Sequence, residues 1–212
     1  DLVKLNLQNP EVKNYLFDAV RGWVREFGID GLRLDVAYCL DLGFLAELRA
    51  LTDGLKPEFA LMGETLHGDY NRWMNDHACH SVTNYECYKG LYSSFNSGNM
   101  HEIAYSLNRQ FGSEPWCLYT GKHLLNFVDN HEVTRIATIL ADKNCLRPIY
   151  GLLFGMPGTP AVYYGSEWGV QGDKKDGDPA LRPEIALPEH NALTEWIAAL
   201  AGARSASPAL RN

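Results

Sequence analysis

Apolar residues recur along the chain in two patterns that alternate, one typical of amphipathic helices and the other of short buried strands. The first helical segment has apolar side chains at three- and four-residue spacing, at Val12, Leu16, Val20, Trp23 and Phe27. That spacing places them on one face of a helix. Asn9 and Pro10 are typical of a helix start, and Gly28 is typical of a helix end. The segment therefore predicts an amphipathic helix that leads into the next apolar run.

Five short apolar runs indicate strands, at residues 28–37, 59–64, 79–84, 123–128 and 161–164. Helical patterns lie between or after them, at residues 44–51, 85–95, 100–111, 136–140, 146–154 and 190–203. Gly54 is expected to end the second helix, and Pro157-Gly158-Thr159-Pro160 is expected to break the pattern before the fifth strand. Residues 165–188 are expected to form a long surface loop. Strands that alternate with helices predict an α/β fold with a parallel sheet, open or closed.

Polar residues stand at the carboxyl ends of several predicted strands, where parallel α/β folds bind their ligands. Arg33 and Asp35 interrupt the first run, Glu64 ends the second, and His131 and Glu132 follow the fourth. This arrangement favours a (β/α)8 TIM barrel over a doubly wound sheet. A barrel has eight strands and five are found, so we expect residues 1–212 to form one partial barrel domain, strands four to eight, without the first three strands.

Composition narrows the function. The chain has 212 residues, 46% hydrophobic and 21% charged, with a net charge of −7. That balance is globular, and an acidic chain without a basic stripe is not expected to bind nucleic acid or an anionic membrane. No apolar run approaches the length of a membrane span. Five cysteines without a C-x-x-C pair indicate free, buried thiols rather than a disulfide or metal site, and hence a cytoplasmic location.

The three strand-end acids suggest glycoside cleavage. That reaction needs one carboxyl to protonate the leaving oxygen and another to attack the anomeric carbon or activate water. Asp35, Glu64 and Glu132 would supply these groups. The alternatives are a structural ion pair between Arg33 and Asp35, salt-bridged strand-end acids, and a structural role for His131.

Four segments resemble the α-amylase family, family 13 of the glycoside hydrolases. They are the nucleophile segment at residues 31–37, the acid/base pair Gly63-Glu64, the third segment at residues 127–132, and Val3-Lys4-Leu5-Asn6 before strand four. The last is most similar to the neopullulanase and cyclomaltodextrinase branch. The resemblance covers nearly the whole chain, from just before strand four through strand eight.

The resemblance implies a retaining double displacement on the α-glucosidic bonds of starch or maltooligosaccharides. Asp35 would be the nucleophile and Glu64 the acid/base, while Arg33 would keep the nucleophile ionised. His131 would bind the sugar at the reaction centre. His67 and Arg182 are further substrate contacts that the resemblance implies. For Arg182, the role of a plain surface arginine is an equal alternative.

Glu132 stands where the family has an aspartate. The extra methylene moves the carboxylate by about 1 Å, and misplacement on that scale can lower a rate by about a hundredfold. The neighbouring Asp129 is an alternative acid for the same task. Two other functions therefore stay open, a transglycosylase of the same family and a sugar-binding barrel without catalysis.

The resemblance also bears on partners and cofactors. A partial barrel is expected to be inactive alone, and its open strand edges would favour pairing with a second copy into a homo-oligomer. No cofactor is expected. Some relatives bind calcium near the segment before strand four, but Lys4 stands where a carboxylate would be needed and repels a cation.

Overall fold

The computed structural model describes residues 3–211, which divide after Thr83 into two compact units. Each unit combines parallel strands with helices, so the predicted α/β class is confirmed. No helix in this described part of the chain is long and apolar enough to cross a membrane.

Besides two short 3₁₀ turns, the described part of the first unit has two α-helices and three strands. They are α1 Pro10–Phe27, β1 Gly31–Leu34, α2 Leu42–Leu55, β2 Ala60–Gly63 and β3 Ser81–Val82. The strands pair in parallel in the order β1-β2-β3, with Leu34 opposite Gly63. Asn9 caps α1 through its side chain, which accepts from the Glu11 N–H at 2.9 Å, and Gly28 ends the helix in the left-handed conformation. The sequence prediction for α1 is thereby confirmed.

The core of the first unit lies between the helices and the sheet. The Phe17 ring of α1 stacks on the Phe44 ring of α2, with centroids 5.4 Å apart. The buried members of this core are Phe17, Val20, Phe44, Leu48, Phe59 and Leu61. Burial of these side chains fixes both helices on the sheet and leaves the carboxyl ends of β1 and β2 to carry polar groups.

The second unit contains the remaining elements. They are α3 Tyr85–Ser97, α4 His101–Phe111, β4 Leu125–Phe127, α5 Ile136–Ile139, α6 Leu146–Gly155, β5 Thr159–Ala161, α7 Asp178–Leu181 and α8 Ala192–Ala206. Strands β4 and β5 pair in parallel, with Leu125 opposite Thr159. Leu91, Ile103, Ile149, Leu153 and Ile197 belong to its core.

Two predicted boundaries are wrong. The fifth strand is not residues 161–164 but begins at Thr159 and contains Pro160. The Thr159 N–H donates to the Leu124 carbonyl at 2.8 Å. Alternate backbone nitrogens of a strand face opposite sides, so the proline nitrogen points away from β4 and no ladder bond is lost. The second helix also passes Gly54 and ends at Leu55, just before Lys56 and the restriction that Pro57 imposes.

The expected surface loop at residues 165–188 contains α7 and two single 3₁₀ turns, Ser166–Trp168 and Lys174–Asp176. Strands β1 to β4 lie within their predicted runs, with β3 the shortest, whereas β5 shares only Ala161 with its predicted run. Closure into an eight-stranded barrel, and the assignment of the chain to its last five strands, stay predictions.

Candidate active site

Arg33 lies between two carboxylates at the carboxyl ends of β1 and β2. Its Nη2 is 2.9 Å from Oε1 of Glu64, and its Nη1 donates to Oδ1 of Asp35. The register pairs Leu34 with Gly63, the last residues of β1 and β2. Asp35 and Glu64, which directly follow these strands, therefore lie at the same edge of the sheet. The structure therefore brings Arg33, Asp35 and Glu64 together at one edge of the sheet.

Glu64 is almost completely buried, with only 3% of its surface exposed. Its Oε2 accepts from the Val36 N–H at 2.9 Å, so both carboxylate oxygens are partnered. Val36 reaches this position in the left-handed region, at φ 48°, which is unusual for a β-branched residue. A backbone of this kind persists only where its surroundings hold it, and such sites cluster at functional centres.

Asp35 contrasts with Glu64 in exposure. Its side chain is 69% exposed, against 4% for Glu64. Asp35 is therefore the member of the pair that a ligand can reach directly, while Glu64 is held in a fixed orientation by Arg33 and Val36.

A cavity of 560 Å³ is lined in part by Arg33 and Asp35. Its other walls come from residues 4–7, α1, β1, Leu40 and α2 and are almost entirely apolar, with Trp23 and Phe44 among them. Sugar hydroxyls need hydrogen-bond partners, so this cavity does not suit a sugar ring. We therefore place the candidate site at the strand ends and not in this apolar cavity.

His67 lies in the loop after β2, where its ring is 5.5 Å from the ring of Tyr38. Both Tyr38 and His67 follow strand ends of the first unit. His67 is exposed and so is accessible to a ligand, and its role as a sugar contact stays a prediction.

The polar residues after β4 form a second cluster, in the second unit. His131 and Glu132 lie side by side, with Nε2 3.8 Å from Oε1. Asn130 orders the turn, because its Oδ1 accepts from the Glu132 N–H at 2.8 Å and its Nδ2 donates to the Tyr85 hydroxyl at 2.9 Å. The Glu132 side chain is 43% exposed and is open to a ligand.

Arg182 belongs to this second cluster. Its Nε donates to the His131 carbonyl at 3.2 Å, and its Nη2 lies 3.7 Å from Oδ2 of Asp178 in α7. The structure thus brings Arg182 to His131, and its role as a substrate contact stays a prediction.

Asp129 does not replace Glu132, and that alternative is wrong. Asp129 is 2% exposed. Its Oδ2 accepts from the Ile136 N–H at 2.8 Å, and the Ser166 hydroxyl contacts both carboxylate oxygens at 2.8 and 2.9 Å. Burial raises the pKa of Asp129, and these hydrogen bonds together with Arg135 oppose that effect. The Asp129 carboxylate therefore stabilises the loop between Asp129 and Ile136.

Sequence reasoning missed Arg135, which is completely buried beside the second cluster. Its guanidinium carbon lies 4.1 Å from the centroid of the Tyr163 ring, and the Tyr163 ring lies 6.3 Å from that of His131. An arginine directly before the apolar residues of α5 was the only signal, and it does not distinguish a buried arginine from a solvated one.

The position suggested for a cation does not fit one. The Lys4 ammonium donates to the Cys39 carbonyl at 2.6 Å, so a positive charge already occupies that acceptor. Among residues 3–211, no three His, Cys, Asp or Glu side chains are grouped closely enough to hold a metal ion.

The five cysteines are free, as predicted. Burial raises the pKa of Cys79 to about 11 and that of Cys87 to about 12, so both thiols stay protonated at neutral pH. The expectation of burial is wrong for Cys39, which is exposed, and Cys117 and Cys145 are half-buried.

Comparison with known proteins supplies the family. The model of the α-amylase catalytic domain matches residues 1–199. The maltogenic α-amylase of Bacillus acidopullulyticus is 30% identical over 210 residues, which are 99% of this chain and 36% of that protein. Neopullulanase 2 of Thermoactinomyces vulgaris is 34% identical over 171 residues, 80% of this chain and 29% of that protein.

A solved structure agrees with these sequence matches. The cyclic α-maltosyl-(1→6)-maltose hydrolase of Arthrobacter globiformis, in complex with maltose, superposes with a TM-score of 0.85 and 29% identity, over 99% of this chain and 48% of that one. The chain spans about a third of the length of the curated relatives that it matches. On these matches, the chain belongs to the family of α-amylase catalytic domains.

Proposed function

We propose that this chain carries the reaction centre of a retaining glycosidase that cleaves α-glucosidic bonds in starch or maltooligosaccharides. The observation that carries the proposal is the Arg33 guanidinium bridging Asp35 and Glu64 at two adjacent strand ends. Relatives named maltogenic α-amylase and cyclomaltodextrinase support the substrate class. The substrate is an uncharged sugar, in keeping with the acidic net charge of −7.

Asp35 is the proposed nucleophile. The exposed carboxylate attacks the anomeric carbon, the glycosidic bond breaks, and a covalent glycosyl-aspartate forms. Arg33 donates to Oδ1, which leaves the other carboxylate oxygen free to attack.

Glu64 is the proposed acid/base. It would protonate the leaving oxygen in the first step and take a proton from the attacking water in the second. In the present arrangement both of its oxygens are occupied, by Arg33 and by the Val36 N–H. Proton donation therefore requires Oε1 to leave Arg33 and turn toward the leaving group.

His131, Glu132, Arg182 and His67 are the proposed sugar contacts. His131 and Glu132 offer adjacent hydrogen-bonding groups after β4, and Arg182 fixes the backbone of His131 from the loop after β5. Glu132 would accept from sugar hydroxyls in the distorted transition state, where charged hydrogen bonds contribute most.

The test is reducing-sugar release from maltoheptaose, cyclodextrin and pullulan by the whole protein that carries this chain. Asp35→Asn should abolish release, because the amide cannot form the covalent intermediate. The matched control is Asp53→Asn, which removes an exposed acid paired with Arg49 in α2 at 2.9 Å and should keep full activity. Release that survives Asp35→Asn would overturn the proposal.

A second experiment traps the intermediate. With Glu64→Gln and a glycosyl fluoride as donor, the first step needs no acid because fluoride leaves unaided, whereas the second step lacks its base. Mass spectrometry should then show one glycosyl unit on the peptide that contains Asp35. A glycosyl unit on another residue would show that this residue, and not Asp35, is the nucleophile.

The same centre could pass the glycosyl group to a sugar instead of water. A match to the cyclomaltodextrin glucanotransferase of a Bacillus strain, 29% identical over 218 residues, favours this second candidate. Chromatography of the products separates the two, because a transferase yields longer or cyclic oligosaccharides from maltoheptaose. A sugar-binding barrel without catalysis, which Glu132 favours, would bind maltoheptaose and release no reducing sugar.

The proposal includes a cytoplasmic location and no membrane or nucleic-acid partner. The free thiols support it, as does a relative named intracellular maltogenic amylase in Bacillus subtilis. Pairing into a homo-oligomer is also part of the proposal, because β1 is bonded to a neighbour strand, β2, on one edge only among the described residues.

A further inference from the structure

Arg135 is among the largest fully buried side chains of the described residues, with 0% exposure. It stands three positions after Glu132 and directly before α5. A guanidinium that is removed from water needs strong local partners, since burial of an unpaired charge is costly. The partners of Arg135 therefore indicate what its burial is for.

The groups that the Arg135 side chain contacts are a backbone carbonyl, a hydroxyl and two aromatic rings, and they belong to residues that follow β5. Its Nη1 donates to the Tyr164 carbonyl at 2.7 Å and to the Ser166 hydroxyl at 3.0 Å. The guanidinium carbon lies 4.1 Å from the centroid of the Tyr163 ring and 5.1 Å from that of Tyr164, within the range of cation–π contacts. One side chain thus joins the segment after β4 to the segment after β5.

Ser166 extends this link to the start of the same loop. Its hydroxyl accepts from Arg135 and donates to the carboxylate of Asp129. Asp129 in turn accepts from the Ile136 N–H at 2.8 Å. The residues at the two ends of the loop are therefore bonded to each other, and His131 lies on the loop between them.

Two backbone contacts add a third segment. The Arg135 N–H donates to the Gly172 carbonyl at 2.9 Å, and Arg182 from the same surface loop donates to the His131 carbonyl at 3.2 Å. The Tyr163 ring, over which the Arg135 guanidinium is placed, is also 6.3 Å from the His131 ring. His131 is therefore linked to Arg135 through an aromatic ring and through the loop that both contact.

We propose that Arg135 is a positioning residue, which holds His131 and Glu132 in their working orientation by tying their loop to Tyr163, Tyr164 and Ser166. Its effect on turnover rests on the proposed function, because His131 and Glu132 are sugar contacts only there. Its effect on the orientation of His131 does not rest on that function.

Two variants separate the parts of the interaction. Arg135→Lys keeps the charge and a donor nitrogen but loses the planar guanidinium that lies over the rings of Tyr163 and Tyr164. Arg135→Met keeps the length of the side chain and loses both charge and hydrogen bonds. The matched control is Arg109→Met, which removes an arginine of α4 that pairs with Glu86.

The first readout is the Cε1–Hε1 NMR resonance of His131 in protein labelled with ¹³C-histidine, assigned by its loss in His131→Gln. In Arg135→Met this resonance should shift or broaden while that of His101 in α4 stays in place. Arg109→Met should leave His131 unchanged. An unchanged His131 resonance in folded Arg135→Met would overturn the proposal, with or without glucan activity.

The second readout is the split between kcat and KM for maltoheptaose. Arg135→Met should lower kcat by about tenfold to a hundredfold, because misplacement of a catalytic contact acts on the transition state, and should change KM much less. Arg135→Lys should recover part of the loss. Equal activity of all three proteins would contradict the positioning role, whereas no glucan hydrolysis by the unaltered protein would contradict only the proposed function.

If Arg135→Met does not fold, Ser166→Ala tests the proposal in its place. It removes one neutral hydroxyl that lies between Arg135 and Asp129. We expect a smaller shift of the His131 resonance in the same direction. A folded Ser166→Ala with an unchanged His131 resonance would also overturn the proposal.

Discussion

Glu132 is the acid in which this chain departs from the motif of its family. Its carboxylate lies 3.8 Å from the His131 ring nitrogen and is open to solvent. We expect Glu132→Gln to lower kcat/KM for maltoheptaose by about a hundredfold, because an amide replaces the carboxyl group where positive charge develops on the sugar. Steady-state hydrolysis measures this, with Glu114→Gln in the loop after α4 as the control. Full activity of Glu132→Gln would place Glu132 outside the site.

Asp129 gives a prediction for the pH dependence of stability. Burial raises its pKa in the folded state above the ordinary value of 3.8. Between the two pKa values the folded state binds more protons than the unfolded state, so the contribution of Asp129 to the free energy of unfolding falls as pH rises through that window. Asp129→Asn removes this dependence.

The difference in unfolding free energy, variant minus unaltered protein, should therefore increase from about pH 3 upward and level off once the raised pKa is passed. Urea denaturation at a series of pH values measures the difference. Asp18→Asn, on the exposed face of α1, is the matched control. A difference that is constant or falls with pH would show that burial does not govern this carboxyl.

Individual residues also show how far the sequence could predict the site. Asp35, Glu64 and Glu132 were proposed because each stands near the carboxyl end of an apolar run that is too short for a helix. The burial of Asp129 and Arg135 could not be found, because it depends on Ser166 and Tyr163, which arrive from another strand end. Partners so distant in sequence leave no local pattern.

At the scale of elements, local chemistry decided which predictions succeeded. The cap at Asn9 and the left-handed Gly28 define α1 at both ends. The fifth strand was misplaced because Pro160 indicates a break, whereas in the structure its nitrogen points away from β4. Whether a proline breaks a strand depends on which side its missing N–H would face, and that side is fixed only by pairing.

A buried arginine of helix α8 bonds the helix to the end of α6 and to the segment between α6 and β5. Arg204 is 9% exposed and donates to the carbonyls of Phe154 and Met156, at 2.6 and 3.1 Å, and to that of Gly158. Arg204→Met leaves these acceptors unpaired, so we expect the free energy of unfolding to fall by about 3 kcal/mol. Thermal and urea denaturation measure the loss. Arg211→Met, at an exposed position, should change stability by less than about 0.5 kcal/mol.

At the scale of the whole molecule, a hydrophobic core lies in each of the two units among the described residues. Leu48 of α2 is 2% exposed in the first core, and Leu153 of α6 is 0% exposed in the second. Truncation of either to alanine leaves a cavity that typically costs about 2 to 5 kcal/mol. Because each cavity opens among the contacts of one unit, we expect Leu48→Ala to weaken α1 and α2 first, and Leu153→Ala to weaken α3 and α6 first.

Hydrogen exchange followed by mass spectrometry resolves the two responses by peptide, since protection reports the free energy of local opening. In Leu48→Ala, peptides from α1 and α2 should exchange faster at low denaturant while those from α3 and α6 keep their rates. Leu153→Ala should give the opposite pattern, so each variant is the control for the other. Equal loss of protection in both units would show that the two cores unfold as one cooperative structure, and the division after Thr83 would then have no energetic counterpart.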